Sequence, residues 1–348
     1  MEFGITFFPT IGPAEKKAGE YYDECLQLAG LADELDLAHV RTVEHYFFSY
    51  GGYSPDPVVF LTAVAARTTR VRLGTSAVIP AFSHPIKLAA KLAMLDNLSH
   101  GRLDVGFGRA FLPDEFTAFG VDMDESHVRF QEGIAACKLL WSEENVTWSG
   151  TYHSFGPVTL LPRPVQEPHP PVFVTTARSV DSCVTAGRAG HNLQMVGAIL
   201  SPEQIQERIS AFRKAWVDGG REPGTEQIHL SFPAYLAESR AEAFEAGRYD
   251  DGKNGAAIGA AVRSWSKTRS SAYPGYDKLA DQSLRPDFAA KVGENKVLAG
   301  TPDDVAGQIE QLQDWFGDDI TLSLSVHSGQ LPAEMAARSM RLLATLDI

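Results

Sequence analysis

The chain has 348 residues, 44% of them hydrophobic and 22% charged, which excludes the low-hydrophobicity regime of disordered proteins. Three cysteines are too few for a disulfide-stapled secreted module, and a net charge of −13 with no basic block argues against nucleic-acid binding. The length suits either two domains or one large α/β barrel.

At the N-terminus, Met1-Glu2-Phe3-Gly4-Ile5 carries an acid where a secretory signal would be positive, and its apolar run stops at Pro9. No run approaches the roughly 18 apolar residues of a membrane span, so a cytoplasmic setting is expected. Phe3–Phe8 predicts the first strand, followed by a helix over Tyr21–Leu37 with leucines at 26, 28, 31, 35 and 37. Val40–Glu44 predicts a second strand, Pro57–Thr69 a helix, and Val71–Ile79 a third strand. The helix over His84–Leu98 opens with Ser83 as expected N-cap and Pro85 in the first turn; Arg102–Phe107 is the fourth strand. Trp148–Pro171, rich in Pro, Gly and His, reads as a long loop before strands at Val172–Thr176, Leu193–Gly197 and Ile228–Ala234.

Ser239–Lys296 is far longer than the usual connection of about 4–6 residues. It shows helical patches at Arg240–Tyr249 and Ala256–Ser266 and a turn at Tyr273-Pro274-Gly275-Tyr276. Thr301-Pro302-Asp303-Asp304 is a helix start, and Ile320–Val326 is the eighth strand. Runs such as Val172-Phe173-Val174 suit parallel strands covered on both faces. Eight β/α alternations predict a (β/α)8 TIM barrel, with residues 1–348 forming a single domain and 239–296 a mobile lid. An open doubly wound sheet is the runner-up, but Gly-x-Gly-x-x-Gly is missing after its first strand.

In a barrel, chemistry sits at the C-terminal strand ends. Glu44-His45 ends the second strand; a histidine there is either a general acid or base, or a simple cap. Gly106-Phe107-Gly108-Arg109 suits close backbone approach to a ligand followed by a fixed positive charge, although Arg109 could instead pair with Asp114 or Glu115. Arg178-Ser179-Val180-Asp181-Ser182 opens a helix and offers hydroxyls and N–H groups to an anion, or plain capping. Cys25, Cys137 and Cys183 are spaced too widely for a zinc site or a redox pair, so no metal is expected.

A series of motifs carries a stronger signal. They run Glu44-His45-Tyr46-Phe47, Ala65-Ala66-Arg67-Thr68-Thr69-Arg70-Val71-Arg72-Leu73-Gly74-Thr75, Ser83-His84-Pro85, and Leu95-Asp96-Asn97-Leu98-Ser99-His100-Gly101-Arg102-Leu103. Gly106-Phe107-Gly108-Arg109, Glu115-Phe116, Phe119-Gly120, Leu140-Trp141 and Gly300-Thr301-Pro302-Asp303-Asp304-Val305 follow in order. This order resembles the bacterial luciferase-like flavin-dependent monooxygenases across about residues 1–330, least so in Ser239–Lys296.

The resemblance implies a (β/α)8 barrel binding FMN, or the deazaflavin F420, at its mouth. By position His45 matches the histidine that supports flavin oxygenation and Glu44 its acidic neighbour. Ala77 matches a residue against the isoalloxazine, beside a non-prolyl cis peptide at Ser76–Ala77. Gly108 falls where the luciferase has a reactive cysteine, so no thiol chemistry carries over. Arg109, Ser179 and Ser182 match phosphate contacts; His127 replaces a second phosphate arginine, for which Arg129 or Arg178 could substitute. Phe7, Phe8, Phe47, Phe107 and Phe111 are candidate pocket walls.

The implied function is a two-component monooxygenase that uses reduced FMN from a separate flavin reductase, and O2 through a C4a-peroxyflavin, to oxygenate a small-molecule substrate. The expected substrate is an aldehyde, a long-chain compound or a natural product. F420-dependent hydride transfer and a non-catalytic partner subunit are the alternatives; a homodimer is expected, with no nucleic-acid or membrane partner.

Overall fold

The computed structural model describes residues 1–177, 179–280 and 287–346. Its first half runs β1 (Glu2–Phe7), α1 (Ala18–Glu34), β2 (His39–Thr42), α2 (Pro57–Ala65), β3 (Arg72–Thr75), α3 (Pro85–Leu98), β4 (Leu103–Gly108), α4 (Pro113–Phe119) and α5 (Ser126–Ser142). Next come β5 (Val146–Ser149), β6 (Ser154–Val158), β7 (Val172–Thr176), α6 (Val180–Ala189), β8 (Asn192–Val196), α7 (Pro202–Asp218) and β9 (Ile228–Leu236). The chain continues through α8 (Arg240–Ala261), α9 (Phe288–Gly293), β10 (Leu298–Gly300), α10 (Pro302–Phe316), β11 (Ile320–His327) and α11 (Ala333–Leu343).

Eight parallel strands close in the order β1-β2-β3-β4-β7-β8-β9-β11, with β11 pairing back onto β1. This is a (β/α)8 barrel, and its strands are the eight runs expected from sequence. The short β10 adds a ninth strand beside the end of β9, in register Leu298↔Ala234.

Outward side chains such as Ile5, Val40, Leu73, Val105, Val174, Leu193, Leu230 and Leu322 pack under the helices in one continuous core. As expected, the strands are covered on both faces, but most of their inward positions are polar. They carry Thr6, Arg41, Asp104, Gln194, His229 and Ser323, all buried. Glycines make room for them. A Cβ on Gly4 would strike the His39 ring and one on Gly74 the Arg41 side chain at 2.7 Å, while one on Gly106 would strike the Thr75 backbone carbonyl as well as the Gln194 amide.

Helix starts follow the capping chemistry. Thr301 caps α10 in a reciprocal box with Asp304, and Asp56 caps α2. His84, not Ser83, is the N-cap of α3: its imidazole accepts from the Ile86 N–H.

Two connections differ from expectation. Trp148–Pro171 is not all loop, because β5 and β6 form an antiparallel hairpin. The Glu132 carboxylate on α5 holds its turn by accepting from the N–H groups of Thr151, Tyr152 and His153 and from the Trp148 indole. In the long excursion, the two helical patches merge into one helix, α8, that runs through the glycine-dotted middle. Tertiary contacts outweigh local propensity there: the Tyr235 hydroxyl donates to Asp250 at 2.7 Å, and Gly247 lies against the Phe288 ring.

Candidate active site

The C-terminal strand ends of the barrel open into a cavity of about 1730 Å³. Glu44, His45, Ala77, Gly108, Arg109, His127, Ser179 and Ser182 all line it. These come from the loops after β2, β3, β4 and β7 and from the first turns of α5 and α6. Arg178 lies outside the described residues.

His45 stands among the rings of Phe8, Tyr50 and Phe111, at centroid distances of 5.8, 5.2 and 5.8 Å. Its carboxylate partner is Glu115, not the adjacent Glu44. Glu115 on α4 is fully buried, and its Oε1 meets His45 Nδ1 at 3.1 Å and accepts from the Tyr46 N–H at 2.9 Å. With Nδ1 engaged, Nε2 is the imidazole nitrogen left for a ligand.

Glu44 faces the other way. It accepts from the Ile79 N–H at 3.0 Å and from the Tyr46 hydroxyl at 2.8 Å, tying the ends of β2 and β3 together. Burial pushes its carboxyl up to about 7, with those two hydrogen bonds acting in opposition. Burial, with Glu44 beside it, likewise pushes the Tyr46 phenol up.

The peptide between Ser76 and Ala77 is cis. Ala77 and Gly108 form one wall so closely that a Cβ on Gly108 would lie 2.9 Å from that of Ala77. A planar ring system fits against such a wall, which any larger pair would fill. Arg109, His127, Ser179 and Ser182 line the same cavity, with Arg109 beside His127, and at the first turn of α6 Ser179 Oγ accepts from the Ser182 N–H at 3.1 Å. A fixed cation, hydroxyls and a helix N-terminus are the donors a phosphate requires. Burial and then Arg109 hold the His127 imidazole below its usual range, leaving Arg109 as the cation of that set. The cavity volume, flat wall and donors therefore fit a flavin mononucleotide.

Sequence reasoning missed Lys138, a further cation lining the cavity about three turns beyond His127 on α5. Arg129 does not fill that role: it pairs with Glu125 at 2.8 Å and covers the Tyr152 ring at 3.9 Å. Of the five phenylalanines, Phe8 and Phe111 line the cavity. Phe7 and Phe107 are core, and Phe47 is 64% exposed. In the sequence Glu115 stands out only as part of a motif and as a possible partner of Arg109; nothing local marks it as the partner of a histidine 70 positions away.

Arg109 does not pair with Asp114 or Glu115. It donates to the Ala272 carbonyl at 3.1 Å and its guanidinium covers the Tyr273 ring at 4.4 Å. Tyr273 donates in turn to the Ala110 carbonyl, and the Trp265 indole donates to the Phe111 carbonyl at 3.0 Å. The segment after α8 is thus packed on the loop after β4, in a second hydrophobic cluster of Ile79, Leu112, Phe116, Val262, Trp265 and Tyr273. All three cysteines are buried, and among the described residues no cluster of His, Cys, Asp or Glu could hold a metal ion. No described helix is long and apolar enough to cross a membrane.

Comparison with known proteins agrees with this geometry. The oxygenase component of the flavin-dependent trigonelline monooxygenase of Acinetobacter baylyi is 32% identical over 226 residues, covering 64% of this chain and 62% of that protein. An F420-dependent glucose-6-phosphate dehydrogenase of Kineococcus radiotolerans is 33% identical over 228 residues, covering 63% of this chain and 65% of that one. The chain thus spans about three fifths of the length of these curated relatives. The crystal structure of monooxygenase RslO1 from Streptomyces bottropensis matches with a TM-score of 0.90 at 52% identity, covering 100% of this chain and 98% of that one. Residues 1–319 match the family described as luciferase-like monooxygenase, and the chain belongs to that family.

Proposed function

We propose that the protein is the oxygenase component of a two-component monooxygenase that takes reduced FMN from a separate reductase. One oxygen atom of O2 enters a small organic substrate and the other leaves as water. The observation that carries this reading is His45, held by the buried Glu115 with its second nitrogen left for the cavity that Ala77, Gly108 and Arg109 also line. When bound, the reduced flavin supplies the electrons that activate dioxygen.

Each residue then has a physical task. Arg109, Ser179 and Ser182 hold the phosphate, with His127 beside them, while Ala77 and Gly108 seat the ring. His45 gives or takes a proton at Nε2, its ring fixed by Glu115. Glu44 orients the loops through Ile79 and Tyr46 rather than reaching the reaction. Of the 239–296 segment, the described stretch after α8 acts as a lid that keeps water out through Trp265 and Tyr273. A homodimer through α2 and α3 suits the exposed Val59, Met94 and Leu98.

Titration with reduced FMN and with reduced F420 tests the cofactor. FMN is expected to bind at least about tenfold tighter, a difference of about 1.4 kcal/mol. Tighter F420 binding would favour hydride transfer, the reaction class that the dehydrogenase relative's name implies. A His45→Ala variant with unchanged turnover would favour a non-catalytic subunit.

A further inference from the structure

Arg41 lies on β2, four residues before His45 and so deeper in the barrel, where its side chain lines the inner end of the cavity. It is 1% exposed, and its Nε and Nη2 have no hydrogen-bond partner among the described residues. Its one ion pair among the described residues is long: Nη2 stands 3.9 Å from Asp104 Oδ2. Asp104 is already engaged by Arg72, whose Nη2 approaches to 2.6 Å and whose Nε lies 3.1 Å from both oxygens. Two guanidinium groups therefore share one carboxylate, and Arg41 holds the weaker share.

Among the described residues, the rest of its surroundings brings no negative charge. Phe173 presents its ring 5.1 Å from the guanidinium, and Ser323 is occupied by His39 at 2.7 Å. His39 and His229 stack on each other at 5.3 Å; burial holds both well below their usual range, so they are neutral. A buried cation is costly unless it is paired, and a guanidinium is the side chain best shaped to pair with an oxyanion.

We propose that the inner end of the cavity takes the oxyanion of the organic substrate, a carboxylate or an ionised phenol, with Arg41 as its counter-ion. The assignment rests on the reading of the cavity mouth as the flavin site, since it leaves the inner end to the substrate. It makes Arg41 a determinant of substrate class.

The test uses FMN-loaded protein, so that the phosphate donors are occupied. Benzoate, 2-naphthoate and p-nitrophenolate are compared by calorimetry with benzamide, 2-naphthamide and nitrobenzene. The anions are expected to bind at least about tenfold tighter than their neutral counterparts. Arg41→Met should abolish that preference while leaving the FMN dissociation constant within twofold, and Arg41→Lys should keep part of it. A preference for carboxylates alone, or for the phenolate alone, supports the proposal and names the kind of oxyanion.

Equal affinity of anions and neutral probes overturns the proposal, as does an anion preference that survives in Arg41→Met. If Arg41→Met does not fold, the wild-type comparison and Arg41→Lys still decide. Failure of FMN binding with the anion preference intact overturns the flavin reading alone. Intact FMN binding without the preference overturns this proposal alone.

Discussion

Glu115 Oε1 receives two groups from the loop after β2, His45 Nδ1 at 3.1 Å and the Tyr46 N–H at 2.9 Å, joining the start of α4 to the candidate catalytic histidine. The carboxylate thus sets both the tautomer of the ring and the path of the backbone that carries it. Charge-assisted hydrogen bonds are about twice as strong as neutral ones. Glu115→Gln, which keeps the volume and loses the charge, is expected to lower turnover about tenfold, or about 1.4 kcal/mol of barrier, with FMN affinity unchanged. Glu115→Ala also orphans a buried N–H and should cost about 2–3 kcal/mol in urea denaturation. Wild-type turnover in Glu115→Gln would separate the carboxylate from the work of His45.

Glu44 makes stability depend on pH. Its folded-state carboxyl, pushed up to about 7 by burial, lies above the ordinary value of 4.5. The folded protein therefore favours the protonated form, and the resulting stability is full below 4.5 and lost as pH rises towards 7. At 1.36 kcal/mol per unit, the contribution is about 3 kcal/mol. Glu44→Gln should flatten the fall in melting temperature between pH 5 and pH 8. The same fall in both proteins would show that the titrating group lies elsewhere.

Tyr273 is the keystone of the segment over the cavity. It touches Arg109, Phe116, Trp265 and Tyr276 and bonds to the Ala110 carbonyl. Tyr273→Phe removes only the hydrogen bond and should weaken the closed arrangement by about 1 kcal/mol. Tyr273→Ala should speed amide exchange over 263–276 while the barrel strands stay protected, and raise hydrogen peroxide release per NADH oxidised several-fold. Unaltered exchange in the alanine variant would mean that other contacts hold the segment.

Gly108 tests the ring wall directly. Alanine there puts a methyl 2.9 Å from that of Ala77, inside ordinary contact distance. Because Ala77 must give way, Gly108→Ala is expected to weaken FMN binding roughly tenfold and to cost about 1–3 kcal/mol in urea denaturation. Undiminished affinity in fluorescence titration would place the ring elsewhere in the cavity.

The barrel was legible in the sequence because its outward faces are aliphatic and its helices open on capping residues such as Thr301 and Asp56. The hairpin of β5 and β6 was hidden because what fixes its turn is Glu132, on the preceding helix. The continuity of α8 depends on Tyr235 and Phe288, which no local pattern reveals. The cavity residues were legible by resemblance at eight positions, yet their partners were not. Glu44 is adjacent to His45 in sequence, but on an extended backbone neighbouring side chains point to opposite sides, and the ring's partner comes from α4 instead. Arg41 was passed over for a similar reason, since nothing in a four-residue strand announces that its neighbours leave a charge unmatched.

The glycines inside the barrel bear on how such a protein can change its substrate. His39 and Arg41 each occupy the room left by a missing methyl on another strand, at Gly4 and Gly74. Each of these is a lock made of two positions. Enlarging the glycine alone collides with its occupant, and shrinking the occupant alone opens a hole in the barrel. Re-specification at these two positions therefore proceeds by paired substitutions on different strands.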